Sequence, residues 1–270
     1  MDCDNIIDNM KKDNQKLILF DIDGTLFDNQ NREVPLSTIA ALEELSKTTK
    51  LGIATGRAQF MLYSIEHILH LFDYFVLING QYIKDKKKVI YEDPLNYHLI
   101  DKLFRKMENM GIAYGFEGSH DEAISKIDDK VIQSFDALGL NLPPINKEYY
   151  HHNKVYQAWT FSNPDEVEIL SKLYPEFQFI RWMGVGYDIL PITSSKGLGM
   201  KKLADYLNID LADVIAFGDG DNDFEMIRDA GIGIAMGNAT EKVKSIADYV
   251  TTNVNEDGIY NALKYYQLLK

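Results

Sequence analysis

Two carboxylates, Asp21 and Asp23, close the apolar run Leu17–Phe20 in the stretch LILFDIDGTLFDN. If the backbone stays extended through Ile22, both acids project to one side, because strand side chains alternate with period two. A second acidic stretch, GDGDND from Gly218 to Asp223, follows the apolar run Val214–Phe217 and adds Asp219 and Asp223. Carboxylates packed into one small volume repel one another unless protons or a cation intervene. Hard oxygen ligands, with water completing an octahedron, suit Mg2+. A cation alone needs no hydroxyl, lysine or glycine turn nearby. Yet Thr55 with the Gly56 amide, and Lys196 ahead of an amphipathic helix, supply donors suited to a tetrahedral anion. Acids, metal and donors together point to phosphoryl transfer. Asp21 can attack phosphorus if Mg2+ and Lys196 offset the repulsion, and Asp23 can protonate the leaving oxygen and then activate water.

Such residues need a common platform, and the apolar patterning supplies one. Strand-like runs Leu17–Phe20, Leu51–Ala54 and Phe75–Ile78 alternate with helical patterns, which favours parallel α/β units. After Thr55 the residues Met61, Ile65, Ile68, Leu69 and Phe72 recur at helical spacing. The alternation resumes with a helix carrying Met200, Leu203, Ala204 and Leu207, a strand at Val214–Phe217, a helix from near Asp223, and strands near Ile232–Ala235 and Tyr249–Thr251. Ligand sites of open parallel sheets lie beyond the carboxyl ends of the strands. There the sequence places Asp21 and Asp23, then Thr55-Gly56-Arg57, then Asn79-Gly80, then the 218–223 acids.

The two halves read as one sheet interrupted by an insertion. The expected organisation is a flexible leader at 1–15, a core at 16–80 and 191–270, and an inserted domain at 81–190. Within the insert, helices are marked by Ile100, Leu103, Phe104 and Met107, by Val131, Phe135 and Leu138, and by Val167, Leu170 and Tyr174. Asn163-Pro164 reads as a helix cap followed by proline at the first helical position. Ile112–Phe116, Val155–Phe161 and Phe177–Trp182 read as extended, so the insert is α+β and suited to be a lid. The run Lys86-Lys87-Lys88 reads as a solvated hairpin turn, and His151-His152 as a polar loop rather than a metal site.

Composition excludes several classes. The 28 basic and 41 acidic residues give a formal charge of −13, which argues against nucleic acid and anionic membrane as partners. An anionic ligand must therefore be held by a local arrangement. Cys3 is the only cysteine, which excludes an internal disulfide and fits a cytoplasmic location. No apolar run reaches membrane-spanning length, and the first fifteen residues lack a signal-peptide pattern. Oligomeric state is not legible.

DIDGT at Asp21–Thr25, ATGR at Ala54–Arg57, SSKG at Ser194–Gly197 and GDGDND at Gly218–Asp223 resemble, in order and spacing, the four motifs of the haloacid dehalogenase (HAD) superfamily. The later segments AMGNAT, Ala235–Thr240, and DYVTTNVNEDGI, Asp248–Ile259, resemble its Cof-type sugar-phosphatase-like branch. The resemblance implies a Rossmann-like α/β core with a parallel sheet and an inserted α+β cap. It implies Asp21 as nucleophile and metal ligand, and Asp23 as general acid/base that also offers its backbone carbonyl to the metal. Thr55, Gly56, Lys196 and Asn222 would bind phosphate, and Asp219 and Asp223 would hold or support Mg2+. Arg57 and Asn79 are candidates for substrate contact or bracing, and Arg181, with Trp182 and Asp188, for the leaving-group pocket. The expected activity is a phosphatase acting on a small phosphorylated metabolite, such as a sugar phosphate or phosphorylated cofactor. A phosphomutase or phosphonate hydrolase on the same scaffold, and a phosphate-binding regulatory protein akin to a receiver domain, are the rival readings.

Overall fold

The computed structural model describes residues 16–269, so the expected leader and its cysteine lie outside the described residues. In chain order the strands are β1 (Leu17–Phe20), β2 (Lys50–Ala54), β3 (Tyr74–Leu77), β4 (Tyr82–Asp85), β5 (Val89–Glu92), β6 (Tyr114–Glu117), β7 (Glu122–Ile124), β8 (Gln157–Phe161), β9 (Phe177–Met183), β10 (Gly186–Pro191), β11 (Val214–Gly218), β12 (Ile232–Ala235) and β13 (Tyr249–Val250). Eight of them form one sheet in the order β13-β12-β11-β1-β2-β3-β4-β5. It is parallel from β13 to β3 and turns antiparallel at β4 and β5.

β1 lies in the middle of this sheet, and all four of its residues are fully buried, as a strand covered on both faces must be. Its register sets Leu17 beside Val214 and Phe20 beside Phe217, so the acids that follow β1 and β11 leave the sheet at the same level. The Phe20 and Phe217 rings stack at 4.9 Å and hold that register. The helix Lys196–Leu207 buries Met200, Leu203 and Ala204 against the sheet residues Leu19, Val76 and Ala216. It is capped by Ser195, whose Oγ accepts from the Leu198 amide at 3.1 Å.

Two expectations need correction here. The stretch after Thr55 is not an α-helix but a 3₁₀ segment, Gln59–Leu71, broken at Ile65. Its buried residues, Leu62, Ile65, Ile68 and Leu71, recur every third position, which is the 3₁₀ period. The second correction concerns the start of the insert. Ile78, Asn79 and Gly80 all take positive φ, 51°, 50° and 90°, and turn the chain back along β3. A Cβ on Gly80 would stand 2.5 Å from the Ser195 carbonyl oxygen, so only glycine fits this reversal. The residues 82–92, expected in the insert, therefore become β4 and β5 of the core sheet. Their turn holds Lys86-Lys87-Lys88, with the Lys87 and Lys88 amides donating to Asp85 Oδ1 at 2.6 and 2.7 Å.

The segment Asp93–Ser194, with Ala58–Phe60, makes a second compact unit. Its antiparallel sheet runs β7-β6-β8-β10-β9. One face, with Tyr114, Phe116, Ala158 and Ile189, packs on Leu103, Phe104 and Met107 of the helix Tyr97–Asn109 and on Leu170 of the helix Pro164–Leu173. The latter helix opens as the sequence suggests, with Pro164 first and the Asn163 amide donating to Glu166 Oε2 at 2.6 Å. The helix Asp129–Leu138 packs Val131 and Phe135 with Trp159 and Phe161. No helix among the described residues is long and apolar enough to cross a membrane.

Candidate active site

β1 ends at Phe20, and the chain turns at once. The Thr25 amide donates to the Ile22 carbonyl at 3.3 Å and the Phe27 amide to the same oxygen at 2.7 Å. The expected extension through Ile22 is thus replaced by a turn, and Asp21 and Asp23 go to different partners. Asp21 is 5% exposed and accepts from Lys196 Nζ at 2.6 Å. Asp23 is held by Arg57, whose Nε and Nη2 donate to its two oxygens at 2.9 and 2.6 Å. The same guanidinium donates through Nη1 to the Met61 carbonyl and to Ser64 Oγ, at 3.0 and 2.7 Å. Arg57 therefore braces the proposed acid/base group.

Lys196 is 1% exposed and bridges Asp21 to Asp223, with Nζ 2.6 Å from Asp223 Oδ1 as well. The other Asp223 oxygen accepts from the Asp219 and Gly220 amides, both at 2.9 Å. Asp223 thus shapes the loop after β11 with one oxygen, which is the capping role, and meets Lys196 in the cluster with the other. Asp219 is tied to the β1 turn: Thr25 Oγ1 donates to its Oδ1 at 3.0 Å. Gly24, at φ 79°, lets this happen, because a Cβ there would stand 2.3 Å from Asp219 Oδ2.

The electrostatics follow from the count of charges. Burial pushes the Asp21 carboxyl well above its usual range, Asp223 pushes it further, and Lys196 opposes them. Asp219 is raised to about 7, by burial first and Asp223 second. Burial alone would lower the Lys196 ammonium, but Asp21 and Asp223 overcome it and hold the lysine charged above its ordinary range. One lysine faces three acids. Ligand oxygens of Asp21, Asp219 and Asp223 lie within 4.8 Å of one another, the one such group among the described residues. An all-oxygen donor set with surplus negative charge fits a hard divalent cation.

Beside the acids, Thr55 is buried at the end of β2, and its Oγ1 accepts from the Arg57 amide at 3.2 Å. Its carbonyl accepts from the Asn79 amide at 3.0 Å, and Asn222 Nδ2 donates to Asn79 Oδ1 at 3.3 Å. A Cβ on Gly56 would come 3.3 Å from the Asn79 amide group, so Thr55, Gly56, Asn79 and Asn222 form one polar border. Asn238 was not singled out by sequence. Its Nδ2 donates to the Gly24 carbonyl at 2.8 Å and to Asp219 Oδ2 at 3.3 Å, and its Oδ1 accepts from the Val254 amide at 2.9 Å. It lies in the segment AMGNAT, whose resemblance to the Cof-type branch assigns Asn238 no role.

Arg181, Trp182 and Asp188 stand on β9 and β10 of the second unit. Arg181 is exposed, and its Nε donates to the Gly184 carbonyl at 2.7 Å within the same hairpin. His151 is paired with the Tyr97 hydroxyl at 2.8 Å and belongs to no three-ligand group among the described residues.

The family model for haloacid dehalogenase-like hydrolases matches residues 18–263. YkrA of Bacillus subtilis (strain 168), a protein named as a phosphatase, is 36% identical over 265 residues, covering 94% of this chain and 99% of its own. A solved structure from Geobacillus kaustophilus HTA426 is 40% identical with a TM-score of 0.90, over 94% of this chain and 100% of that one. The HAD subclass IIB sugar phosphatase BT4131 is 32% identical with a TM-score of 0.83, again over 94% and 100%.

Proposed function

The chain belongs to the haloacid dehalogenase-like hydrolases, and from that premise we propose that this phosphatase hydrolyses a small phosphorylated metabolite with Mg2+, through an aspartyl-phosphate on Asp21. One observation carries the reading: a buried lysine joins Asp21 to Asp223 at 2.6 Å on each side, with Asp219 close by, beyond the ends of β1 and β11. A surface cap needs no such arrangement, and buried acids gathered on one lysine cost desolvation of the kind that active sites concentrate.

The residues divide the work. Asp21 Oδ attacks phosphorus and becomes the acyl phosphate; Lys196 holds that carboxylate in place and meets the incoming negative charge. Thr55 Oγ1, the Gly56 amide and Asn222 Nδ2 donate to the phosphoryl oxygens. Asp23, turned by the Arg57 fork, gives a proton to the leaving oxygen and later takes one from the water that attacks the acyl phosphate. Mg2+ held by Asp21, the Asp23 carbonyl and Asp219, with Asp223 in support, would offset the repulsion between carboxylate and phosphate. Asn238 and Thr25 keep Asp219 aimed at that position. Asn79 orders Asn222, and Arg181 is a candidate contact for the non-phosphate part of the substrate. A sugar phosphate or a phosphorylated cofactor is the substrate class, and a cytoplasmic location fits such a metabolite.

Phosphate release from sugar phosphates, nucleotides and phosphorylated cofactors, measured with Mg2+ and with chelator, tests this. Release that needs metal and disappears in Asp21→Asn is expected. Isomerised ester with no free phosphate would favour a mutase, and no reaction by a folded, metal-binding protein would overturn the reading.

A further inference from the structure

Arg57 is held at more points than a part-exposed ion pair requires. Its side chain is 20% exposed and that of its partner Asp23 40%, and a pair so open to water contributes little to the fold. Such a guanidinium ordinarily pivots about its carboxylate, because a long side chain resists being fixed in one geometry. Here every nitrogen of the guanidinium is engaged. Nε and Nη2 take the two Asp23 oxygens, and Nη1 donates to the Met61 carbonyl at 3.0 Å and to Ser64 Oγ at 2.7 Å. A planar fork anchored on both flanks cannot turn without breaking bonds on one of them. The backbone of Arg57 is fixed as well: its amide donates to Thr55 Oγ1 and its carbonyl accepts from the Ile78 amide, each at 3.2 Å. Asp23, Arg57, Met61 and Ser64 all belong to the core unit.

The second flank exists because the chain after Thr55 is a 3₁₀ segment. Residues three apart eclipse in a 3₁₀ turn, whereas in an α-helix they are offset by about 60°. The row Leu62, Ile65, Ile68 and Leu71 is buried, and Met61 and Ser64, on the neighbouring row, lie one above the other. Met61 brings a carbonyl, which any residue there would bring. Ser64 brings a side-chain hydroxyl, which a substitution can remove.

We propose that Ser64 is a positioning residue for the proton transfer: it fixes the Arg57 fork, and the fork fixes the direction in which Asp23 presents its oxygens to the leaving group. The inference rests on the preceding reading of Asp23 as acid and base. In the step concerned, the bond between phosphorus and the leaving oxygen breaks as Asp21 forms its bond to phosphorus. The leaving oxygen keeps the bonding pair and takes the proton that Asp23 carries. Each Asp23 oxygen bound by Arg57 keeps a second lone pair for that proton, so the fork sets its direction without occupying its place. An acid must meet the leaving oxygen within hydrogen-bond reach, and small misplacements are costly in rate.

Leaving groups that differ in their need for a proton test this. Glucose 6-phosphate, phenyl phosphate and p-nitrophenyl phosphate release an alkoxide, a phenolate and a nitrophenolate, each less basic than the one before. For each ester kcat/KM, which reports the steps up to departure of that group, is measured with Mg2+ for wild type, Ser64→Ala, Ser64→Thr and Asp23→Asn. Ser64→Ala is expected to lower it about five-fold or more for glucose 6-phosphate, less for phenyl phosphate and under about two-fold for p-nitrophenyl phosphate. Asp23→Asn should show the same order with larger losses. Ser64→Thr, which keeps the hydroxyl, should restore the wild-type values. In the Asp23→Asn background Ser64→Ala should add nothing, because it acts through Asp23. An equal loss on the three esters, no loss on any, or an undiminished Ser64→Ala effect in that background overturns the proposal.

The fork is also read without turnover. The Arg57 Nε–H resonance, assigned by its absence in Arg57→Lys, should exchange with water about five-fold faster or more in Ser64→Ala than in the wild type. An unchanged rate overturns the proposal. An equal loss on all three esters in Asp23→Asn removes the reading of Asp23 as the acid, and this inference with it. A graded loss in Asp23→Asn beside a flat response in Ser64→Ala removes only the role of Ser64.

Discussion

Beyond β1 and β11 one buried lysine bridges Asp21 and Asp223 with Asp219 close by, whereas on the sheet of the insert Glu117, Glu122 and Asp188 share a face with no lysine or arginine paired to them among the described residues. The core cluster has ligand atoms within 4.8 Å of one another, and the insert cluster does not. The difference separates two uses of buried acid. Lys196 cancels part of the charge in the core and leaves a tight oxygen set for a small hard ion. In the insert burial raises all three acids and Gln157 and Trp159 donate to Glu117, so protons and neutral donors stand where the core uses a lysine.

The most severe way to break this contrast is to make the core resemble the insert. Lys196→Met would leave Asp21 and Asp223 buried together without their cation. In chelator, urea unfolding should show a loss of about 3–5 kcal/mol, the cost of breaking a buried ion pair, with phosphate release abolished. A protein as stable as wild type would mean that the lysine does not counter the acids. Gly24→Ala tests whether the β1 turn and Asp219 must touch. A Cβ 2.3 Å from Asp219 Oδ2, at φ 79°, should destabilise by more than about 1 kcal/mol and weaken Mg2+ binding in titration calorimetry.

Proton linkage sharpens the contrast without mutation. Asp219, Glu122 and Asp188 are each raised to about 7, in every case by burial first. An acid that holds its proton more tightly when folded makes the native state bind more protons than the unfolded one. Stability should therefore fall as pH rises from about 4 through about 7 in metal-free buffer. Mg2+ should restore the share due to Asp219 and leave that of Glu122 and Asp188, so thermal unfolding at pH 8 recovers only in part. Full recovery would erase the distinction between the clusters.

Smaller effects attend the two arginines. Arg57→Ala should cost under about 1 kcal/mol of stability, because its pair with Asp23 is partly exposed. It should still lower kcat by about ten-fold or more, since Asp23 loses its orientation. Arg181→Ala, which removes only a hairpin contact to Gly184, should raise KM for a good substrate and spare kcat. Unchanged kinetics would remove Arg181 from the substrate's surroundings.

The core was legible because its chemistry is local. The acids and Thr55 follow apolar strand runs directly, parallel strands deliver their carboxyl ends to one place, and Lys196 is marked by the SSKG motif that opens its helix. What escaped is set by backbone detail: the turn from Ile22 that parts Asp23 from Asp21, the three-residue period of Leu62, Ile65, Ile68 and Leu71, and the reversal at Ile78–Gly80 that returns β4 to the core sheet. The insert's acids were hidden for a different reason. Glu117, Gln157 and Asp188 meet only through the antiparallel register of β6, β8 and β10, and the strand expected at Ile112–Phe116 stops one residue short of Glu117. No spacing along the chain announces such a meeting.

The central claim is that Asp21 carries the phosphoryl group. Wild-type protein turning over a phosphate ester can be treated with borohydride, which reduces an acyl phosphate to the alcohol, and then digested for mass spectrometry. Homoserine at position 21, formed only when ester is present, is the result expected. Continued phosphate release with Asp21 unmodified, or with the reduced residue elsewhere, would contradict it.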